Sequence, residues 1–461
     1  MKVALVRLQG KAARRSLHPR NIRPPYILKF LQAELKKYDI ETSFYDEYIG
    51  DSIKRILLYE PNIIILSTIT SDVDRTLLFI RKIRQKIRNI RIIICGQDPS
   101  GRPDFYLKKP EIDYIALGEA EKSIASLISS IRNNSLDSLP DGIIDTKIKN
   151  SAKPIIVKEL DSLAYPEYTE RELNGYSFFY PLKVDYKIKY GHILTSRGCP
   201  YGCLFCTQVL RESYGKSMRY HSIEYVIDEI KRLKSQGVNF LLFDDDNFCF
   251  DKKWAVTFMN RMIEENIDLP WQTHIRVENI DEELIQLFSK TNCKLIRLGV
   301  ESGSAKILKN IGKTSNPTNY LKQSEKVFEW SKKYNIPTLF LCLIGNVDET
   351  YSDILKTFKF IRKLQPDFLQ VTYFTLYPGA PLYEKYGFIE DSKNYHYSLP
   401  NFSPSNIGKT GLRISQFLLY SMFYLRPIYL LKHFRNYFKY YLKNPDDIFQ
   451  MLKAFIYLFI P

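Results

Sequence analysis

Apolar runs and amphipathic stretches alternate through the first 135 residues of the chain. Continuous apolar runs at Asn62–Ser67 and Arg91–Cys95 are typical of strands that are buried on both faces of a parallel sheet. Shorter strand patterns occur at Lys2–Val6, Glu41–Tyr45 and Asp113–Ala116. Helical periodicity separates the strands, at Tyr26–Lys37, Ser52–Leu58, Asp72–Ile87 and Glu119–Arg132. This alternation predicts a doubly wound, Rossmann-like α/β domain over residues 1–135, with ligands beyond the C-terminal strand ends.

A second alternating series covers residues 191–385. It follows a weakly periodic connector at 136–190, which we expect to pack on both neighbours. The predicted strands of this series are His192–Thr195, Phe240–Phe243, Gln272–Ile275, Leu295–Val300, Thr338–Ile344 and Phe368–Phe374. Six β/α units predict a partial, TIM-like (β/α)6 barrel, whose site is built at the C-terminal strand ends.

The last region, residues 386–461, is predicted to be a helical, basic and aromatic extension. Its apolar run from Phe417 is interrupted by Arg426 and Pro427, well short of the ~20 apolar residues of a membrane span. A basic aromatic helix can lie in a membrane interface, or it can form a helical layer over the open side of the barrel. A nucleic-acid track is disfavoured, because the basic residues alternate with large apolar ones.

The charge and the cysteine content limit the partners and the redox compartment that we expect for the protein. The formal charge of +16 fits either a solvated basic surface or an acidic partner such as lipid head groups, nucleic acid or a phosphorylated substrate. Seven cysteines are a poor disulfide framework, and three of them fall within eight residues. No signal peptide is visible at the start of the sequence. We therefore expect a metal site in a reducing cytoplasm, with peripheral contact at the inner face of the membrane through the C-terminal region.

The cysteine-rich segment runs from Thr195 to Gln208 as T-S-R-G-C-P-Y-G-C-L-F-C-T-Q. Cys199, Cys203 and Cys206 have the spacing C-x3-C-x2-C, and thiolates are soft ligands suited to iron–sulfur clusters. A structural zinc site needs a fourth ligand, and His221 is fifteen residues beyond the last cysteine. A zinc loop with a distant fourth ligand is the alternative. Three ligands on a four-iron cluster leave one iron open to a small molecule.

This segment resembles the radical S-adenosylmethionine (SAM) superfamily pattern C-x3-C-x-aromatic-C, with Phe205 in the aromatic position. The resemblance implies that the three cysteines hold a [4Fe–4S] cluster and that SAM chelates the open iron. It also implies an electron donor such as ferredoxin or flavodoxin. One electron cleaves SAM to a 5′-deoxyadenosyl radical, which abstracts a hydrogen atom from the substrate. The protein positions and shields these groups.

Five later segments resemble the same superfamily in the expected order, and the last of them is Y-P-G-A-P-L-Y-E at Tyr377–Glu384. In F-D-D-D-N-F, Asp245 or Asp246 resembles the acid that contacts the SAM amino group, although an N-cap cluster would give the same pattern. Arg276, in H-I-R, has a planar fork that matches the SAM carboxylate, or else is a surface arginine. The segments G-V-E-S-G-S and L-I-G-N-V-D-E-T carry the remaining positions that the resemblance assigns to SAM, namely Glu301, Ser302 and Gly345.

The first domain resembles the cobalamin-binding domain that precedes radical SAM in one large subgroup. The resemblance rests on a Pro-Pro helix start at Arg23–Leu35 and on the closing segment A-L-G-E-A-E. It implies that Ser67, Thr70 and Gly96 contact cobalamin. The D-x-H-x-x-G motif that supplies a lower cobalt ligand is missing, since Tyr48 lies in the matching stretch. Either cobalamin binds without a histidine ligand, or the domain keeps the fold without the cofactor.

These features predict a radical SAM enzyme that functionalises an unactivated C–H bond of a membrane lipid or isoprenoid-like substrate. The outcome would be C-methylation, C–C coupling, cyclisation or rearrangement. A second hypothesis is modification of RNA or a peptide, and a third is a non-catalytic cobalamin or iron–sulfur sensor. Methylthio transfer is rejected, because the first domain holds only Cys95 and no cysteine cluster for a second [4Fe–4S] centre.

Overall fold

The structure is a computed structural model. It describes residues 1–10, 22–176, 188–206, 217–386, 395–427 and 429–431. The basic aromatic segment from residue 432 onward and the last two residues of the cysteine segment, Thr207 and Gln208, lie outside the described residues.

The first sheet has six strands in the order β2-β1-β3-β4-β5-β6. Neighbours from β2 to β5 are parallel, whereas β6 runs antiparallel to β5 and comes after residue 135. This is a doubly wound order: β2 is added on one side of β1, and β3, β4 and β5 follow on the other side, so the strand order reverses between β1 and β3. The strands are β1 Lys2–Arg7, β2 Glu41–Asp46, β3 Ile63–Ser67, β4 Arg91–Cys95, β5 Tyr114–Ala116 and β6 Ile143–Asp145.

Helices cover both faces of this sheet. Alternate strand residues such as Ile63 and Ile65 pack with α1 and α6, while Ile64 and Leu66 pack with α2 and α3 on the other side. Two apolar faces explain why the central strands are continuously hydrophobic. Helices α4 and α5 were not predicted, because five residues are too few to show a periodicity. The helices are α1 Tyr26–Lys37, α2 Ile53–Tyr59, α3 Val73–Lys86, α4 Gln97–Gly101, α5 Pro103–Leu107 and α6 Glu121–Arg132.

The segment between the two sheets contacts both of them. It contains α7 Glu170–Gly175, whose Glu172 forms an ion pair of 2.9 Å with Lys29 of α1. Farther upstream, the Asp161 carboxylate lies 2.9 Å from Nδ1 of His221, in the second unit. The segment therefore joins the two units by polar contacts as well as by the chain.

The second sheet consists of six parallel strands in sequence order, from β7 through β10 to β14. This is the partial barrel that the sequence predicts. Its strands are β7 Tyr190–Ile193, β10 Phe240–Phe243, β11 Trp271–Ile275, β12 Cys293–Glu301, β13 Thr338–Ile344 and β14 Phe368–Tyr373. Its helices are α8 Ile223–Ser235, α9 Lys252–Glu264, α10 Glu282–Lys290, α11 Ala305–Asn310, α12 Pro317–Lys333 and α13 Tyr351–Leu364. A two-stranded antiparallel ribbon, β8 Ser196–Arg197 and β9 Arg219–Tyr220, lies above β7.

The inner face of the barrel changes character along its axis. Outward residues join the main core beneath the helices, whereas inward residues at the start of the strands form a separate apolar cluster, Tyr190, Phe240, Leu295, Leu339 and Phe368. Farther along, four of the six strands have polar inward residues, His192, Gln272, Arg297 and Gln370, while Leu242 and Leu341 stay apolar. The apolar cluster closes the bottom of the barrel, and the polar residues face the end where the site lies.

A C-terminal helix covers the edge strand of the barrel. Helix α15, Lys409–Tyr424, follows the short helix α14, Pro381–Tyr386. The Tyr420 and Tyr424 hydroxyls accept hydrogen bonds of 2.9 and 3.0 Å from the backbone amides of β14. These contacts pair backbone groups that an edge strand would otherwise expose. No helix in the described ranges is long and apolar enough to cross a bilayer.

Candidate active site

The three cysteines lie on one loop, residues 198–206, which we call the cluster loop. It begins directly after β8 and rests on the segment after α11, where the Leu204 amide donates a 2.9 Å hydrogen bond to the Ile311 carbonyl. Cys203 is buried, Cys199 is half-buried and Cys206 is exposed. Gly198 has a φ of +100°, a left-handed conformation that glycine adopts without strain at this turn.

The thiols share one electrostatic environment. Burial raises the pKa of Cys199, and the neighbouring Asp246 and Cys203 raise it further, while Arg276 lowers it. No three Cys, His, Asp or Glu side chains in the described part of the chain converge on a single metal ion. A four-iron cluster takes one thiolate on each of three irons, so its ligands need not meet at one point. A set of three thiols on one short loop fits such a cluster.

Two cations face the cluster loop from the barrel. The Arg276 guanidinium lies 3.4 Å from Sγ of Cys203 and stacks 3.8 Å from the ring centre of Tyr201. It also donates hydrogen bonds to the Glu278 carboxylate and the Lys313 carbonyl. The donors of Arg276 therefore point at the cysteine side of the site, where a positive charge favours the thiolate form that metal binding requires.

Lys313 is the second cation and was not predicted. Its ammonium is buried and donates a 2.9 Å hydrogen bond to Oε1 of Glu301. Burial opposes its charge, but Glu301, Tyr320 and Cys203 together raise the pKa of Lys313. Glu301 itself has a φ of +69° at an irregularity in β12, so its side chain turns toward the strand ends. The predicted Glu301 is thus present at the site as one half of a buried ion pair.

The three consecutive aspartates have three different environments. Asp244 pairs with Arg23 at 2.6 Å; burial alone would raise its pKa, but Arg23 and His274 hold it well below the usual range. Asp245 is buried and accepts hydrogen bonds of 2.8 and 2.6 Å from the hydroxyls of Thr195 and Ser196. Burial raises the pKa of Asp245 to about 7.

Asp246 is the member of the trio that reaches the cluster loop. Its side chain is exposed, and its charge acts on both Cys199 and Cys206. The surrounding protein raises the pKa of Asp246 to about 6, and Asp244 and Glu119 add to that effect. Between the two predicted aspartates, the geometry therefore leaves Asp246 accessible and commits Asp245 to holding the β7–β8 turn.

Ser302 and Gly345 fix the turns that follow β12 and β13. The Ser302 hydroxyl lies 2.9 Å from that of Thr357 and accepts from the Ser304 amide before α11. Gly345 has a φ of +81°, and its amide donates a 2.6 Å hydrogen bond to Glu349. A Cβ at Gly345 would lie 3.0 Å from Leu412 of α15. Phe205 packs in a small apolar cluster beside the loop, 6.0 Å from the Lys313 ammonium.

The three residues predicted for cobalamin lie at the C-terminal ends of β3 and β4. Thr70 is buried in a single turn after β3, and Ser67 ends that strand. Gly96 has a φ of +105°, and a Cβ there would lie 2.9 Å from the Thr68 carbonyl and 3.2 Å from the Ser67 hydroxyl. Only glycine fits this turn, which allows the backbone after β4 to lie close to β3.

A cavity of about 460 Å³ joins these strand ends to those of the barrel. Its walls come from both units: Arg7, Tyr48 and Thr70 on one side, and His274 and Glu301 on the other. Most of the residues that line it carry a polar group, and Ile22, Ile69 and Leu341 are its aliphatic members. Parallel α/β sheets bind ligands at these ends, so two independent ligand-binding edges face a single space.

A family model described as the radical SAM superfamily matches residues 193–361. This part of the chain is a radical SAM domain. The matched segment begins at the end of β7 and includes the cluster loop, Asp246, Arg276, Glu301 and Gly345. The sequence-based recognition and the prediction of an enzyme are confirmed.

Relatives and solved structures extend the likeness beyond the radical SAM domain. The uncharacterized methyltransferase PH0819 of Pyrococcus horikoshii is 28% identical over 410 residues, which is 84% of each chain. The bacteriochlorophyllide d C-12(1)-methyltransferase of Chlorobaculum tepidum is 28% identical over 58% of this chain and 56% of its own.

Two solved structures share the fold of both units. The radical SAM methyltransferase TsrM from Kitasatospora setae, solved with cobalamin and a [4Fe–4S] cluster, has a TM-score of 0.66 at 17% identity over 83% of this chain and 76% of its own. The cobalamin-dependent radical enzyme OxsB, solved with aqua-cobalamin and SAM, has a TM-score of 0.68 at 16% identity over 98% of this chain and 72% of its own. The predicted fold class is confirmed.

Proposed function

We propose that the chain is a cobalamin-dependent radical SAM methyltransferase. The observation that carries this proposal is the cavity of about 460 Å³ between the C-terminal ends of the two parallel sheets. A methyl carrier on the first sheet and SAM on the second would face each other across this space. The methyltransferase relatives and the two cobalamin-containing structures support the same arrangement.

On the barrel side, Cys199, Cys203 and Cys206 would hold a [4Fe–4S] cluster. Once reduced, such a cluster supplies the electron that cleaves bound SAM. Arg276 lowers the pKa of the Cys199 thiol and Lys313 that of the Cys206 thiol, so the two cations would offset part of the rise that burial causes. The accessible carboxylate of Asp246 suits an ammonium group. Glu301, Ser302 and Gly345 would form the wall against which SAM lies, together with Phe205 of the cluster loop.

On the opposite side, Ser67, Thr70 and Gly96 would contact cobalamin, which supplies a transferable methyl group when bound. The close approach of the Gly96 turn to β3 leaves the strand end open, as a large planar ligand requires. Tyr48 lines the cavity, and its hydroxyl donates to Asp72 at 3.3 Å, which leaves it a poor metal ligand. The stretch around Tyr48 would therefore supply no ligand to the cobalt.

Anaerobic reconstitution with iron, sulfide and hydroxocobalamin tests this proposal. We expect about four irons and one cobalt per chain, and transfer of the SAM methyl label to cobalamin. Iron without cobalt would contradict methyl transfer and leave cyclisation or coupling, with the first domain as a scaffold. A chain that binds no iron would contradict the whole assignment.

We further propose an amphiphilic, lipid- or isoprenoid-like substrate that reaches the enzyme at a membrane surface. Helix α15 exposes one apolar face through Ile414, Leu418 and Met422, which continues at Leu425 and Leu431. Residues 395–431 contain no acidic side chain, while Lys409, Arg413 and Arg426 flank this face. An apolar face bordered by cations suits an anionic lipid surface. The polar residues that line the cavity would receive the polar end of the substrate.

Sedimentation with vesicles tests this part separately. We expect binding to vesicles of phosphatidylglycerol and phosphatidylcholine that weakens with salt and is reduced by Leu418→Glu. The exposed Leu58→Glu on α2 is a matched control, because Leu58 lies on the first domain and away from this face. Equal binding by both variants would contradict the proposed membrane face.

A further inference from the structure

Two carboxylates at the end of the first sheet hold the ribbon that leads into the cluster loop. Glu119 and Glu121, which we call the acid pair, follow β5 in the segment A-L-G-E-A-E. The Arg197 guanidinium donates a 2.9 Å hydrogen bond to Glu121 and lies 3.7 Å from Glu119. The Arg219 guanidinium donates to both oxygens of Glu119, at 2.7 and 2.6 Å.

The two arginines lie on the ribbon that leads into the cluster loop. Arg197 is the last residue of β8 and stands two residues before Cys199, the first ligand of the cluster loop. In the ribbon it lies directly opposite Arg219 of β9. Like charges directly opposite each other destabilise a strand pair, so this ribbon depends on the carboxylates that lie between its two cations.

The ribbon depends strongly on the acid pair because the charged groups of the contact are buried. Glu119 and Glu121 are 1% and 0% exposed, and Arg197 is 9% exposed. Removing one partner of a buried ion pair leaves an uncompensated charge, which is far more costly than losing a surface pair. Glu119 also accepts a 2.7 Å hydrogen bond from the Val157 amide, so its carboxylate is fixed in place from a third direction.

The acid pair is in turn connected to the proposed cobalamin side. The Gly118 amide, next to Glu119, donates a 3.0 Å hydrogen bond to the Ser100 hydroxyl. Ser100 belongs to α4, the helix that starts after the Gly96 turn. A continuous series of contacts therefore runs from the end of β4 to the residue before the cluster loop.

We propose that Glu119 and Glu121 are positioning residues for the [4Fe–4S] loop, supplied by the first domain to the second through Arg197 and Arg219. This inference rests on the proposed function, because it assumes that the cluster loop holds a cluster. The orientation of the cysteines would then depend on carboxylates of another domain that touch neither the cluster nor SAM.

The test compares Glu121→Gln, Arg197→Gln and the double variant with the wild-type chain, all reconstituted anaerobically. In both single variants we expect iron content to fall by at least half and SAM affinity to weaken about tenfold. The change that SAM causes in the electron paramagnetic resonance spectrum of the reduced cluster should be lost, while cobalt content stays unchanged. The double variant should be no worse than the singles, because the two side chains act as one unit. Glu121→Asp should restore part of the spectrum.

Glu167→Gln is the matched control. It removes a carboxylate of the connector that pairs with Lys36 of the first domain at 2.9 Å, but both side chains of that pair are largely exposed. We expect it to match the wild type in iron content and spectrum. Wild-type iron content and SAM-dependent spectra in Glu121→Gln and Arg197→Gln would overturn the inference. If the wild-type chain bound no iron, the proposed function would fail instead.

Discussion

The two parallel sheets of the molecule are built alike but use their faces differently. The first sheet is apolar on both faces, with Ile63 and Ile65 on one side and Ile64 and Leu66 on the other. The second is apolar beneath its helices and at the bottom of its inner face, and polar above that level, at His192, Gln272 and Arg297. The first sheet can therefore offer a ligand only its strand ends, whereas the second also offers a lined interior.

The first unit therefore mainly supplies stability, whereas the barrel also supplies polar side chains that can take part in chemistry. Buried apolar residues on both faces make the first unit a rigid base, in which side chains of the strand interiors have no free surface. In the barrel, the inward polar layer contains groups such as Gln272, whose amide oxygen and nitrogen find no hydrogen-bond partner in the described residues. Unpaired buried groups reduce stability, so we expect this layer to be retained for function.

The largest effect should come from the cluster loop at the ends of the second sheet. Cys203→Ala should abolish iron retention, because two thiols cannot hold a [4Fe–4S] cluster in place. Cys293→Ala, a buried cysteine at the start of β12, is the matched control and should keep its iron. Iron and sulfide counts after reconstitution measure the difference. Iron retained by the Cys203 variant at the wild-type level would refute the assignment of the loop.

A core substitution in the first sheet should be the most costly for folding. Ile64→Ala removes a fully buried side chain between the sheet and α3, so we expect a loss of about 2–5 kcal/mol. The free energy of unfolding by urea, followed by circular dichroism, measures it. The exposed Ile148→Ala should change the same quantity very little. Similar values for the two variants would show that the first sheet is not a rigid base.

One ionisable side chain interrupts the apolar side of the barrel and should make stability depend on pH. Glu229 of α8 is buried, which raises its pKa to about 8 from an ordinary value near 4.5, with a further contribution from Asp245. The folded state therefore holds a proton that the unfolded state releases. The stability that this proton contributes is fully present below pH 4.5. It is lost as the pH rises through 8, because the free energy of unfolding falls by up to about 1.4 kcal/mol per pH unit.

Glu229→Gln should remove this dependence. Thermal unfolding between pH 5 and pH 9 should show a smaller decline for the glutamine variant than for the wild-type chain. Glu224→Gln, on the solvent side of the same helix, should follow the wild-type curve. Parallel curves for wild type and Glu229→Gln would mean that this carboxyl is ionised in the folded chain.

The smallest effect should have the opposite sign. Gln272→Met replaces an unpaired buried amide by an apolar side chain of similar length, so we expect stability to be unchanged or to rise by about 1 kcal/mol. Denaturant unfolding measures it, and Gln236→Met at the exposed end of α8 is the control. A loss of several kcal/mol would show that the polar layer holds the barrel together.

Regular elements were predictable because their patterns are local. Helix Tyr26–Lys37 and strands Phe240–Phe243 and Thr338–Ile344 were predicted with the observed bounds, because each is set by its own periodicity and end residues. The cysteine spacing is equally local. The short helices α4 and α5 and strand β6 have too few residues to show a period, so they were missed.

Much of the site depends on contacts that no local pattern carries. The sequence could not distinguish Asp245 from Asp246, since the choice depends on which of them meets the turn at Thr195 and Ser196. Lys313 was missed because only its ion pair with Glu301 marks it as a site residue. Glu301 lies on a different element and has a positive φ that turns its side chain toward Lys313. The A-L-G-E-A-E segment was recognised as a motif, but its arginine partners lie far along the chain.

The acid pair also bears on how this chain could be cut or recombined. A shortened chain that begins after the first domain would carry Arg197 and Arg219 side by side without the carboxylates that they contact. An exchange of first domains between relatives would meet the same conflict unless both halves of the contact came from one parent. We therefore expect the two domains to be inherited as a unit, and a hybrid to become functional only when the ribbon is transferred together with the acids that hold it.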